Sequence, residues 1–581
     1  MAANRSVVNG GLLLLLGLAA IGWWGSTLAY ADVVRHLNAN APDGEVETYT
    51  RLFHGNVQAN LRTLVGVCGT LAVALLFYRL RMKRMVPVPN RVLGSMRADV
   101  ARAWYDLLKH TSPAHGRMVL FVVLVGAVLR AVLLWQPITY DEAFTYTYYA
   151  SRPVHVIVSD YSYPNNHILH TLLVKLFTTV FGVGLVSLRL TAYLAGVLAL
   201  PVFYLLVRSL FNRYIALLAL ALASASGPLL DYSACARGYS LTWFFMLLAL
   251  LLGRYGTKQV RPSVALLLGL CCALGMWTIP SFAYIAGMVY VWLLITALGK
   301  GEEHMRAHVW NWVLSAMAFV ACTALFYLPV ILVHGMDQVT AHDTYGVPDR
   351  AVFARTYTDR ALELWAVLAD SSAWWVAALG FIALVYSGYT SSRYRALLAA
   401  LVLGAVPLVV LQALVAPPRV WLYSVFIFHM GSAIALYYLL KAVQERLLKK
   451  AGKRQRTAVA ALLLLVAFGW PGLRVERLGQ GGMPEAEWCA RKAVKLLRPG
   501  DKLYTQYPWD SPIEFHLLAM GGDRDLMYGP YTPGNTLLVA VGPDYDQTLQ
   551  GVLAHQNVPA GAHPPFRLIQ DSPRLKIFAA P

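Results

Sequence analysis

The feature that most constrains this chain is its succession of long apolar runs. Residues 8–30, 61–80, 118–136, 185–207, 213–230, 237–254, 263–278, 281–299, 309–334, 373–389, 396–415, 421–440 and 457–471 are each hydrophobic enough to enter a bilayer. A hydrocarbon core about 30 Å thick needs about 20 apolar residues as a helix. It also contains no water to satisfy a broken backbone. The expected fold class is therefore a multi-spanning α-helical membrane protein, with about 13 transmembrane helices. The 58% hydrophobic and 14% charged content of the 581 residues agrees with that class.

The net charge of +19 does not point to nucleic acid, because Lys and Arg gather in the short connectors between apolar runs. That distribution is the positive-inside pattern of cytoplasmic loops. Residues 79–117 carry nine Lys or Arg against Asp99 and Asp106, so they are expected inside. Residues 32–60, with Asp32, Asp43, Glu45 and Glu47 against Arg35 and Arg51, are expected outside. Residues 1–31 also resemble a signal peptide, with Arg5 and the sequence AYA at 29–31. The run is long enough to span, and an uncleaved first helix is expected. Either way Asp32 onward lies outside.

One apolar segment breaks the count. Residues 165–182, NNHILHTLLVKLFTTVFG, would flip every later basic loop outward if they crossed. They are expected to lie along the outer leaflet or dip into it, which is tolerable where protein covers the segment. The composition changes after Pro471. Residues 472–581 have Gly-Gly pairs, many prolines and short strand and helix patterns, such as AEWCARKAVKLL (486–497) and NTLLVAVGP (535–543). The expected division is an N-terminal hairpin with a basic connector (1–117), a transmembrane catalytic domain (118–471) and an extracytoplasmic α/β domain (472–581). Cys68, Cys235, Cys271, Cys272, Cys322 and Cys489 show neither a disulfide framework nor metal spacing.

Polar chemistry collects at the expected outer ends of the runs. Asp141 and Glu142 follow Pro137 among Tyr140, Phe144, Tyr146, Tyr148 and Tyr149. A solvated helix end explains such a pair; so does a catalytic one, since a carboxylate partly removed from water can act as a general base. Asn165, Asn166, His167 and His170 follow. The two histidines share a helix face at i, i+3 and fit substrate contact, structural hydrogen bonding or, with Asp141, a metal. Arg237 and Tyr239 head one apolar run, and Arg419 heads another behind two prolines. Arg130 lies inside a run, roughly two to three helical turns before Asp141. Guanidinium groups at these places suit phosphate oxygens. Tyr345 belongs to the long polar loop 335–372, of a kind that often forms a lid.

The Asp-Glu pair after a helix, the Asn-His helix, ARGYSL (236–241) and PPR (417–419), in this order, resemble the GT-C superfamily of membrane glycosyltransferases. The likeness is to its family-39-like branch, which includes protein O-mannosyltransferases and the lipid A aminoarabinose transferase, and it covers about residues 118–471. It implies an inverting transfer of a sugar from a polyprenyl-phosphate donor to an acceptor hydroxyl, on the outer face of a bacterial inner membrane. The acceptor is a glycan, lipid or protein. The resemblance makes Asp141 the catalytic carboxylate and Glu142 the second acid. His167, Arg237 and Arg419 then cover the donor phosphate or sugar, with Asn166, His170, Tyr239, Tyr345 and Arg130 as further substrate-binding candidates. No cofactor is fixed, and a divalent metal stays open. The alternative is a transporter or flippase for a lipid-linked or anionic solute. Transporters, however, usually place charges near the midplane on broken helices.

Overall fold

The computed structural model describes residues 2–38, 49–81, 112–335, 350–368, 374–413, 415–446, 481–559, 561 and 563–580. Twelve of the thirteen apolar runs coincide with helices; the thirteenth, 457–471, lies outside the described residues. The helices that carry these runs are α1 Ala2–Thr27, α2 Arg51–Arg81, α3 Pro113–Val132, α6 Leu185–Leu210, α7 Arg213–Ser224 and α9 Tyr239–Gly256. They continue with α10 Pro262–Thr278, α11 Phe282–Leu298, α12 Glu302–His334, α14 Trp374–Thr390, α15 Ser392–Gln412 and α16 Tyr423–Arg446. Between them lie α4 Tyr140–Phe144, α5 Ile168–Phe181, α8 Gly227–Asp231 and α13 Arg350–Leu368.

Seven of the described helices are long and apolar enough to cross a membrane unaided. Their outward faces are apolar too. Leu120, Phe121, Leu124, Val128 and Val132 of α3 are all more than half exposed, as expected where the surrounding solvent is lipid. The protein is an integral, multi-pass membrane protein. The segment expected not to cross forms α5, a 14-residue helix. At 1.5 Å per residue it reaches about 21 Å, short of the hydrocarbon thickness.

A core of large side chains, including Phe203, Trp243, Phe282, Trp292 and Phe426, joins α6, α9, α11 and α16. α11 and α15 cross with their backbones almost touching. A Cβ on Gly287 would sit 2.6 Å from the Gly404 carbonyl oxygen, so only glycine permits the approach.

The C-terminal region forms a small α/β unit. Its strands are β1 Lys502–Tyr504, β2 Leu537–Val541, β3 Arg567–Gln570 and β4 Lys576–Ala580, in the order β1-β2-β4-β3. β1 and β2 are parallel and the other pairs antiparallel. Helices α17 Pro484–Leu496 and α18 Asp510–Ala519 share a core with Trp509, Leu538 and Ile577.

This unit is seated on the segment that carries Asp141. The Met483 N–H donates to the Ile138 carbonyl (2.9 Å), and Arg524 donates through Nη2 to the Thr147 carbonyl (2.8 Å). Phe515 meets Tyr146 edge-on. Thr147 belongs to a π-helical turn, Thr145–Ala150, that continues α4. Such wide turns recur at functional sites.

Candidate active site

Pro137 has no N–H to continue a helix, and after it the chain turns back into α4. Thr139 caps that turn. Its N–H and its hydroxyl both donate to Glu142 Oε2, at 3.1 Å each. Glu142 is buried, with a side-chain exposure of 1%, against Arg189 of α6. Arg189 donates from Nε to Oε1 (2.8 Å) and from Nη2 to Oε2 (2.7 Å), and the Ala236 N–H reaches Oε1 at 2.7 Å. Burial alone would raise the Glu142 carboxyl, but the guanidinium and the backbone N–H groups outweigh it and hold the group below its ordinary range.

Every lone pair direction of Glu142 is thus directed at protein. The expectation that it serves as a second catalytic acid is corrected by this geometry: it ties α4, α6 and the Ala236 loop together. Arg189, which also donates to the Leu134, Gln136 and Pro137 carbonyls, completes the clamp.

Asp141 points the other way. Its side chain is 40% exposed and faces a cavity of about 340 Å³. Asn165 Nδ2 donates to its Oδ1 at 3.3 Å, and Arg237 Nη2 stands 3.8 Å from its Oδ2. Arg237 is buried, and its Nε and Nη1 have no hydrogen-bond partner. Arg419, on the 3-10 turn Pro418–Trp421, lines the same cavity with Tyr239 and Tyr232. The opposite wall comes from the C-terminal unit, through Gly481, Gly482 and Tyr507.

The remaining candidates do not reach this cavity. Asn166 is fully buried and donates to the carbonyls of Ile157 (2.9 Å) and Asp160 (2.7 Å). His167 Nδ1 accepts the Gly238 N–H at 2.8 Å, and its ring stands edge-on to Tyr239. It therefore positions the Arg237 loop from behind. His170 is fully buried on α5 and outside the cavity lining. Arg130 is a correction to the sequence reading. Its guanidinium donates to Ser233 Oγ and to the carbonyls of Gly126, Ser224 and Ala223, so it locks α3 to the α7–α8 corner and is closed to substrate. Tyr345 lies outside the described residues. Among the described residues no three His, Cys, Asp or Glu side chains converge as a metal would need.

Three residues that line the cavity escaped sequence reasoning. Arg189 sits within an apolar run, and a lone intramembrane charge is itself a signal worth following. Asp231, at the end of α8, lines the cavity. Burial pushes its carboxyl up to about 7, and the nearby Glu142 charge adds to the rise while Arg189 opposes it. Tyr507 carried no local signal, because its place depends on how the C-terminal unit docks.

Chemically, the cavity combines the Asp141 carboxylate and the Asp231 carboxyl with the guanidinium groups of Arg237 and Arg419 and the phenols of Tyr140, Tyr232, Tyr239 and Tyr507. Such a set can hold an anionic phosphate beside a hydroxyl whose proton the carboxylate can take. A second opening of about 610 Å³, between Trp135, Phe181, Leu185 and Phe515, is mostly apolar and brings no such charges together.

Residues 165–327 match the family model described as dolichyl-phosphate-mannose-protein mannosyltransferase. Two crystal structures of ArnT from Cupriavidus metallidurans share the fold. The one bound to undecaprenyl phosphate has a TM-score of 0.54 at 14% identity, over 79% of this chain and 97% of the other. The apo form also has a TM-score of 0.54 at 14% identity, over 81% and 98%. The Archaeoglobus fulgidus oligosaccharyltransferase complex with Zn and sulfate has a TM-score of 0.46 at 17% identity, over 68% of this chain and 61% of the other. No curated protein sequence matches.

Proposed function

This chain has the fold of the GT-C superfamily, and from that premise we propose that it is a membrane glycosyltransferase using a polyprenyl-phosphate-linked sugar. The reading assigns it to a bacterial inner membrane with the Asp141 cavity on the outer face. Residues 1–117 then form an N-terminal hairpin and connector, 118–471 the catalytic domain and 472–581 an extracytoplasmic domain. One observation carries the reading: the Asp141 carboxylate, 40% exposed and turned to the cavity, stands beside the Arg237 guanidinium, with Arg419 in the same lining. One fold neighbour, ArnT, was solved bound to undecaprenyl phosphate, and the matching family is that of dolichyl-phosphate-mannose-protein mannosyltransferases.

In the proposed reaction an acceptor hydroxyl attacks the anomeric carbon opposite the phosphate. A carbon–oxygen bond forms to the acceptor, and the bond to the phosphate oxygen breaks with its electron pair. The acceptor proton passes to the Asp141 carboxylate, and polyprenyl phosphate leaves. Attack from the far side inverts the anomeric centre, whether the sugar is a hexose or a pentose. Fixed cations stabilise the charge that develops on the leaving phosphate. Arg237 suits this role because its Nε and Nη1 already lack partners. Asn165 orients Asp141, whereas Glu142, Arg189, Asn166, His167, His170 and Arg130 act as scaffold.

Arg237→Ala removes charge-assisted hydrogen bonds worth about 1.5–3 kcal/mol. Its affinity for undecaprenyl phosphate, measured by titration of the purified protein, is expected to fall by about tenfold or more. Unchanged affinity in a folded variant contradicts the phosphate role.

A further inference from the structure

We propose that an aromatic strip leading out of the Asp141 cavity is the acceptor subsite, and that the acceptor is a carbohydrate chain. The inference rests on the transferase reading and adds the substrate class to it. Tyr140 stacks on Phe144 with ring centroids 5.8 Å apart, and Phe144 on Tyr148 at 5.0 Å with 8° between the planes. Tyr163 meets both Phe144 and Tyr148 edge-on, at 5.3 and 5.2 Å. At the cavity end, Tyr507 of the C-terminal unit stands edge-on to Tyr140 at 4.8 Å. The Arg152 guanidinium lies 4.2 Å over Tyr148 at the far end.

These rings are not a closed core. Tyr507 is 66% and Tyr163 is 47% exposed. Nor do they form a plain membrane-interface belt, since the strip ends inside the cavity, where Tyr140 and Tyr507 both line the wall beside Asp141. A sugar ring presents an apolar C–H face and a rim of hydroxyls. Aromatic faces cover the first, and phenol and amide groups hydrogen-bond the second. Asn165, on the same loop as Tyr163, already holds Asp141, so one loop registers the strip against the carboxylate. Arg237 and Arg419 lie on the membrane-domain wall. The donor phosphate belongs there, which leaves the aromatic wall to the acceptor. A strip several rings long suits an extended glycan better than one monosaccharide.

The test uses the full-length protein in lipid nanodiscs on a printed array of oligosaccharides and peptides, with undecaprenyl phosphate affinity measured in parallel. Wild type is expected to retain oligosaccharides, and Tyr507→Ala and Tyr163→Ala to bind them about tenfold more weakly. Tyr507→Phe keeps the ring and is expected to stay within about twofold of wild type, with undecaprenyl phosphate affinity unchanged throughout. If wild type binds undecaprenyl phosphate but retains no oligosaccharide, or retains peptides instead, the acceptor inference is overturned and the transferase reading stands. Oligosaccharide binding that survives both alanine variants overturns it equally. Failure of wild type to bind undecaprenyl phosphate removes the transferase reading itself.

Discussion

At the residue scale, the side chains around α4 divide according to whether their polar atoms are already satisfied. Glu142 has both oxygens engaged by Arg189, Thr139 and Ala236. Asp141 keeps its oxygens toward the cavity. Glu142→Gln leaves the Arg189 charge buried without its counter-ion, a change that typically costs about 3–5 kcal/mol. The variant is expected to unfold at a clearly lower temperature in a fluorescence melt, and a melt indistinguishable from wild type rejects the clamp. Asp231 gives a pH prediction. Its carboxyl is pushed up to about 7, so it is mostly neutral below pH 7 and anionic above. An added negative charge in the cavity repels phosphate. Undecaprenyl phosphate affinity is therefore expected to fall on the order of threefold from pH 6 to pH 8. Asp231→Asn should flatten that dependence, and an equally steep profile in the variant excludes Asp231 as its source. The sequence made Asp141 visible because an acidic pair after a proline, amid tyrosines, is unusual at a helix end. It could not divide the pair, since the partner that claims Glu142 lies 47 positions away. Asn165 and Asn166 are adjacent as well, and only loop geometry selects Asn165 for Asp141.

At the element scale, helices followed from apolar runs because lipid imposes one backbone solution. The exceptions have physical causes. The run 213–230 contains Gly227 and Pro228, and the structure breaks it into α7 and α8 there. That corner brings Asp231 to the cavity. The crossing of α11 and α15 is set by two glycines that no periodicity singles out. α15 leads directly toward Arg419, so its seating bears on the site. Gly404→Leu is expected to force the helices apart and cost about 1–3 kcal/mol. The checks are the melting temperature and the undecaprenyl phosphate affinity, both of which should fall. A variant with wild-type values in both shows that the close crossing is dispensable.

At the scale of the whole molecule, the C-terminal unit closes the cavity rather than trailing from the bundle. Its composition announced an α/β region, but not its seat. Docking depends on backbone groups, such as Met483 N–H on the Ile138 carbonyl, which leave no pattern in sequence. The same contacts place Tyr507 beside Asp141. The membrane domain supplies the cations and most of the aromatic strip, the C-terminal unit adds Tyr507 to it, and Asp141 stands between the two. The central claim is that Asp141 takes the acceptor proton. Asp141→Asn keeps the shape of a half-exposed side chain and removes only its basicity, so folding should be retained. Sugar transfer from a polyprenyl-phosphate donor by the purified variant is expected to drop by about 10²–10⁴-fold, with undecaprenyl phosphate affinity undiminished. Turnover near the wild-type rate would contradict the account.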